Sequence, residues 1–142
     1  MPARLARRQV AGGRNLSPAL SWTDPPAGTR SFALICVDLH PVARRWLHWL
    51  VIDIPATCRS LPEGASNSGM PAGCRELRNS FGDVGWGGPQ PTSGSGKHQY
   101  LFTLYALKCA RLPAGIGSEN ELKQALRGKT VGQAALSGWF GR

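Results

Sequence analysis

At 142 residues, 42% of them hydrophobic and 18% charged, the chain is long enough for one domain with a real core. No apolar run is long enough to cross a bilayer as a helix, and the basic stretch at residues 1–18 leads into no apolar segment, which makes a poor secretory signal and leaves a cytoplasmic protein as the expectation. The net charge of +9 favours anionic partners such as phosphates or acidic membrane surfaces, but no compact basic stripe with stacking aromatics stands out, so no specific nucleic-acid function is expected.

The chain reads as a single domain, 1–142, whose residues 1–14 form a basic segment of poor order. Eighteen glycines and eleven prolines punctuate short apolar runs, as in a β sandwich or barrel. "NLSPALSW" reads as a turn leading into a short strand. The first long run, residues 30–39, sets Phe32, Leu34 and Cys36 on one face with Asp38 at the end, because strand side chains alternate. The second run, residues 46–54, is apolar on both faces, so a central, doubly covered strand is expected. Strict alternation puts Trp46, His48, Leu50 and Ile52 on one face and Leu47, Trp49 and Val51 on the other.

Residues 56–97 form a long irregular connection, often a functional feature in a compact domain. Trp86 within it argues against full disorder. The third run, residues 98–107, places His98, Tyr100, Phe102 and Leu104 on one face. Ser118 and Glu121 make a capping box for a helix with Leu122, Ala125 and Leu126 as its apolar stripe and Gly128 as its stop. The final run, "TVGQAALSGWFGR", is ambiguous between helix and strand.

If the three long strands are neighbours, Asp38, His48, His98 and Tyr100 converge on a small polar pocket beside the Gly/Pro-rich loop. Two imidazoles there can donate to an anion, with loop N–H groups adding to them. The alternative is four separate residues satisfied by nearby backbone. Two imidazoles and a carboxylate, with His40 in reserve, also permit a metal, but no metal or other cofactor is expected. Cys36, Cys58, Cys74 and Cys109 include no CxxC pair and read as reduced thiols, with Cys58 and Cys74 able to pair across one loop. No GxSxG elbow is present, and "GWGG" has no following GK[ST].

"NLSPALSWTDPPAGTRSFALICVD", "WLHWLVIDIPA" and "FGDVGWGGPQPTSGSGKHQYLFTLYAL", in this order, resemble the phosphatidylethanolamine-binding protein family, in its bacterial and archaeal Raf kinase inhibitor-like branch. The resemblance runs from residue 15 to the end. It implies a mostly β fold, an antiparallel Greek-key β sandwich with one or two short helices, and a non-enzymatic pocket for a small anion, a phosphate or a phosphorylated head group. On it, Asp38, His48, Pro89, His98 and Tyr100 bind the ligand, with His40, Trp49, Trp86 and Gly88 at the rim. A kinase or protease as regulated partner, peripheral membrane contact and a homodimer are further implications. The alternative is a hydrolase or metal-dependent enzyme using the same histidines and aspartate.

Three departures from the family pattern stand out. "DLHP", residues 38–41, lacks the second acid of Asp-Pro-Asp-x-Pro, and His40 stands near its place. Pro91–Thr92 replaces Pro-Pro. The chain begins late, so an N-terminal strand is expected to be missing, leaving an edge for a partner to cover.

Overall fold

The computed structural model describes residues 3–5, 16–88 and 96–141, with the backbone alone for 3–5, 97, 140 and 141. Eight strands and one helix follow in the order β1 (Ala3–Leu5), β2 (Leu20–Trp22), β3 (Ser31–Asp38), β4 (Leu47–Pro55), β5 (Ser60–Leu61), β6 (Arg75–Glu76), β7 (Lys97–Leu107), α1 (Glu119–Leu126) and β8 (Thr130–Gly141). A five-stranded antiparallel sheet has the order β6-β4-β3-β7-β8, and a three-stranded one the order β1-β2-β5. β7 lies beside β3 rather than β4, so the long connection crosses over, as a Greek-key arrangement requires.

The alternation read along β3 decides the layering. Phe32, Leu34 and Cys36 face a core completed by Phe102 and Leu104 of β7 and by Leu20, Trp22 and Leu61 of the small sheet. Ala33, Ile35 and Val37 face a second core closed by Leu112, Ile116 and the α1 residues Leu122 and Leu126. β3 is therefore apolar on both faces, and each fully buried Leu, Ile or Phe contributes about 1.5–3 kcal/mol. The helix starts where Ser118 accepts from the Glu121 N–H at 3.1 Å, while the Glu121 carboxylate reaches back to the Gly117 N–H. The ambiguous final run is strand β8, paired along its length with β7.

Two expectations are corrected. Residues 3–5 are a strand paired with β2, Ala3 opposite Trp22, so the N-terminal strand is present. Three residues are too few to show a period-2 signal. Residues 6–14, the rest of the basic segment, lie outside the described residues. The second correction concerns β4, where the alternation breaks. Cys36 pairs with Trp49 but Val37 pairs with Leu47, so His48 is an extra residue in a β-bulge. His48 thereby turns to the side of Trp49 and Trp86, while Leu47 and Leu50 share the other side.

The connection after β4 is closely tied. Glu76 accepts from Trp49 Nε1 at 2.8 Å, from the Ser66 hydroxyl at 2.5 Å and from the Asn67 N–H at 2.7 Å. Ser66 in turn accepts from the Trp86 N–H. All four cysteines are thiols. Among the described residues, no helix is long and apolar enough to cross a membrane.

Candidate functional site

Asp38 ends β3 directly opposite Tyr100 of β7, and His98 stands two residues before Tyr100 on the same face. This register brings three polar side chains together at one end of the large sheet. Asp38 Oδ2 lies 2.7 Å from His98 Nδ1, and Oδ1 accepts the His40 N–H at 2.8 Å. The Tyr100 phenol stands beside the Asp38 carboxylate and feels its charge. Burial, and next the charge of Asp38, push the Tyr100 phenol well above its ordinary value, so it stays protonated.

The bulge adds His48 from β4. Its Nδ1 lies 2.5 Å from the Gly87 carbonyl, with the Gly88 backbone close by. Gly87 also donates its N–H to the His48 carbonyl at 2.9 Å. A side chain at position 87 would not fit, because its Cβ would come within 2.5 Å of the Phe81 ring. The His48 ring meets Tyr100 edge-on at 5.0 Å. Burial lowers its pKa more than the two glycine carbonyls and Asp38 raise it.

These four residues floor a cavity of about 440 Å³. Its mouth is formed by residues that the sequence reading did not single out. After His40 a short 3-10 turn, Pro41–Ala43, leads into Arg44 and Arg45, both left-handed at φ 48 and 56. Two consecutive non-glycine residues in that region cost about 1–3 kcal/mol each, the kind of strain that accompanies functional sites. Arg45 is held by a two-point ion pair with Glu119 at the start of α1, at 2.7 Å for each bond. Arg44 stays exposed at the cavity mouth. Trp46 and Phe81, each 39% exposed, stack edge-to-face across it at 5.4 Å. Asn79 positions Phe81 by accepting its N–H at 2.9 Å. The sequence reading makes Trp46 the first residue of the strand run, whereas the structure places it just before β4, at this lip. Arg44, Arg45 and Phe81 carry no signal in the sequence, because a turn's direction is a tertiary property.

Of the residues expected at the rim, His40 stacks face-to-face on His98 at 3.9 Å and 11°. Gly88 is at the His48 ring. Trp49 is fully buried, with its indole on Glu76, and does not line the cavity. Trp86 lies behind His48, stacked on Phe102. Pro89, Pro91 and Thr92 lie outside the described residues. Among the described residues, no group of three His, Cys, Asp or Glu side chains is placed to hold a metal ion.

The family model described as phosphatidylethanolamine-binding protein matches residues 1–141. The chain belongs to the phosphatidylethanolamine-binding protein family. Within its bacterial and archaeal branch, the chain is 39% identical to the UPF0098 protein YbhB of Escherichia coli over 113 residues, 78% of this chain and 71% of that one. It is 35% identical to a UPF0098 protein of Methanothermobacter thermautotrophicus over 140 residues, 98% of this chain and 91% of that one. The crystal structure of Escherichia coli YbcL, described as a member of the mammalian PEBP family, superposes with a TM-score of 0.83 at 33% identity, covering 94% of this chain and 88% of that one.

Proposed function

We propose that this member of the family is a non-enzymatic binding protein whose cavity holds the phosphate of a phosphorylated head group. The observation that carries the reading is the convergence of Asp38, His98, Tyr100 and His48 on one cavity with Arg44 at its mouth. Asp38, His98 and His48 are each fixed by a hydrogen bond to another protein group, which suits holding a ligand in one pose. Arg44 supplies a positive charge for the anion. The exposed Val42, Trp46 and Phe81 around the mouth support a phosphate carried on a larger apolar body over a free ion.

The test is to follow the histidine ring signals by NMR while adding inorganic phosphate and then phosphoethanolamine. The His48 and His98 rings are expected to shift together and saturate, and phosphoethanolamine to bind more tightly. A response confined to His40, or none, overturns the reading. Release of phosphate from an ester during the titration would instead support the hydrolase alternative.

A further inference from the structure

The hydrogen bonds of the cavity decide which ring atoms carry protons. A carbonyl has none to give, so the contact between His48 Nδ1 and the Gly87 oxygen requires an N–H on Nδ1. The neutral His48 ring then carries its lone pair on Nε2. At His98, Nδ1 faces a carboxylate that already accepts from the His40 N–H. Nδ1 is the donor there too.

A fully deprotonated phosphate offers lone pairs alone. Against the neutral His48 ring in this tautomer it would set acceptor against acceptor, at a buried site where an unmatched polar contact is costly. One proton removes the conflict. The two rings differ in how they meet that need. His98 stands on Asp38, so its charge state has a local partner whether or not ligand is present. His48 faces the carbonyls of Gly87 and Gly88, the Phe81 and Trp86 rings, His98 and Tyr100 from β7, and the Asp38 charge, which other donors already share. Arg44 and Arg45 line the same cavity, the second of them neutralised by Glu119. His48 is the ring whose protonation a bound anion would change most.

On the reading that the cavity holds a phosphate group, we infer that the group binds together with one proton taken from solvent and shared between His48 Nε2 and a phosphate oxygen. The site then takes its ligand as a proton-linked pair, and its affinity is set by pH as well as by phosphate concentration. Burial, which keeps His48 neutral in the empty cavity, makes the uptake visible near neutral pH.

Calorimetry with phosphoethanolamine, a monoester whose phosphate is fully deprotonated at pH 8, in buffers of different ionisation enthalpy, tests this on the intact chain. Uptake of about one proton is expected, and an affinity falling about tenfold per pH unit between 7.5 and 9, by linkage. The ¹⁵N signal of His48 Nε2 should move on binding from the lone-pair range toward the protonated range. His48→Gln, whose amide donates without titrating, is expected to bind more weakly and with no uptake. Binding without proton uptake, or uptake with His48 Nε2 unmoved, overturns this inference and leaves the phosphate reading standing. No binding at any pH from 5.5 to 8.5 overturns both.

Discussion

β4 bulges twice against β3, and each bulge carries a buried polar residue. At the first, His48 is the extra residue; at the second, between the Phe32–Ile54 and Leu34–Val51 pairs, the backbone of Asp53 turns left-handed at φ 59. Their surroundings differ. Asp53 accepts from Arg75 at 2.8 and 2.6 Å and from the Leu112 N–H at 2.8 Å, and Arg111 approaches to 3.7 Å. Its oxygens are filled by protein, and the contacts tie β6 and the 111–112 segment onto the sheet. His48 is satisfied through its Nδ1 side and borders a cavity. The same backbone device thus makes a structural joint where the polar group is enclosed, and a candidate ligand contact where one side is left for a guest.

The sharpest way to break this comparison is Asp53→Ala. Removing one partner of a buried, hydrogen-bonded ion pair costs about 3–5 kcal/mol, so chemical denaturation should show a loss of that order, with phosphate affinity of the folded protein unchanged. A loss under about 1 kcal/mol would mean that the second bulge is not a joint. Next comes Gly87→Ala, whose Cβ must push the Phe81 ring aside. Overpacking costs about 1–3 kcal/mol. Because Gly87 also holds the His48 ring, phosphate affinity should fall as well, which calorimetry would read.

His48→Phe inverts the pattern of Asp53. The phenyl ring is larger than the imidazole, so the stability loss combines mild overpacking with an orphaned carbonyl and should stay near 1–3 kcal/mol, about the cost of either alone. Phosphate binding, by contrast, should drop at least tenfold. Equal damage to stability and affinity at both bulges would end the distinction.

A smaller effect concerns pH. The His48 pKa is depressed in the folded chain, so the unfolded chain takes up the proton first. Stability in the absence of ligand should therefore fall as pH drops through the ordinary histidine value of about 6.5, and level off below the folded value. This component should vanish in His48→Phe. Thermal melts from pH 8 to 5 would show whether it does. Smallest in stability is Arg44→Ala, an exposed site where a change within about 0.5 kcal/mol is expected. Its phosphate affinity should fall several-fold, with a weaker salt dependence.

Much of this architecture is legible in the residues alone. The three long strands, the double burial of β4, the cap at Ser118 and the polar set Asp38, His48, His98 and Tyr100 all follow from periodicity and residue type. These are short-range properties, repeated often enough along the chain to be read. β1 escaped because three residues carry no period. β8 stayed ambiguous because "AALSGWF" suits either element until β7 supplies its partner.

The bulge at His48 is different in kind. Strict alternation puts His48 with Leu50, and only the pairing of β4 with β3 shows the extra residue that turns it toward Trp86. The choice of tautomer is likewise tertiary, since Gly87 lies 39 residues away in sequence. So is the cavity mouth, where Arg45 finds Glu119 across 74 residues. The sequence by itself determined which residues are buried in strands and which polar types stand at their ends, because side-chain alternation and the cost of exposing apolar surface act locally. The tertiary structure alone decided which ring atom of each histidine is tied back, and that Arg44 stands over them, because those depend on partners that only the folded sheet brings within hydrogen-bond reach.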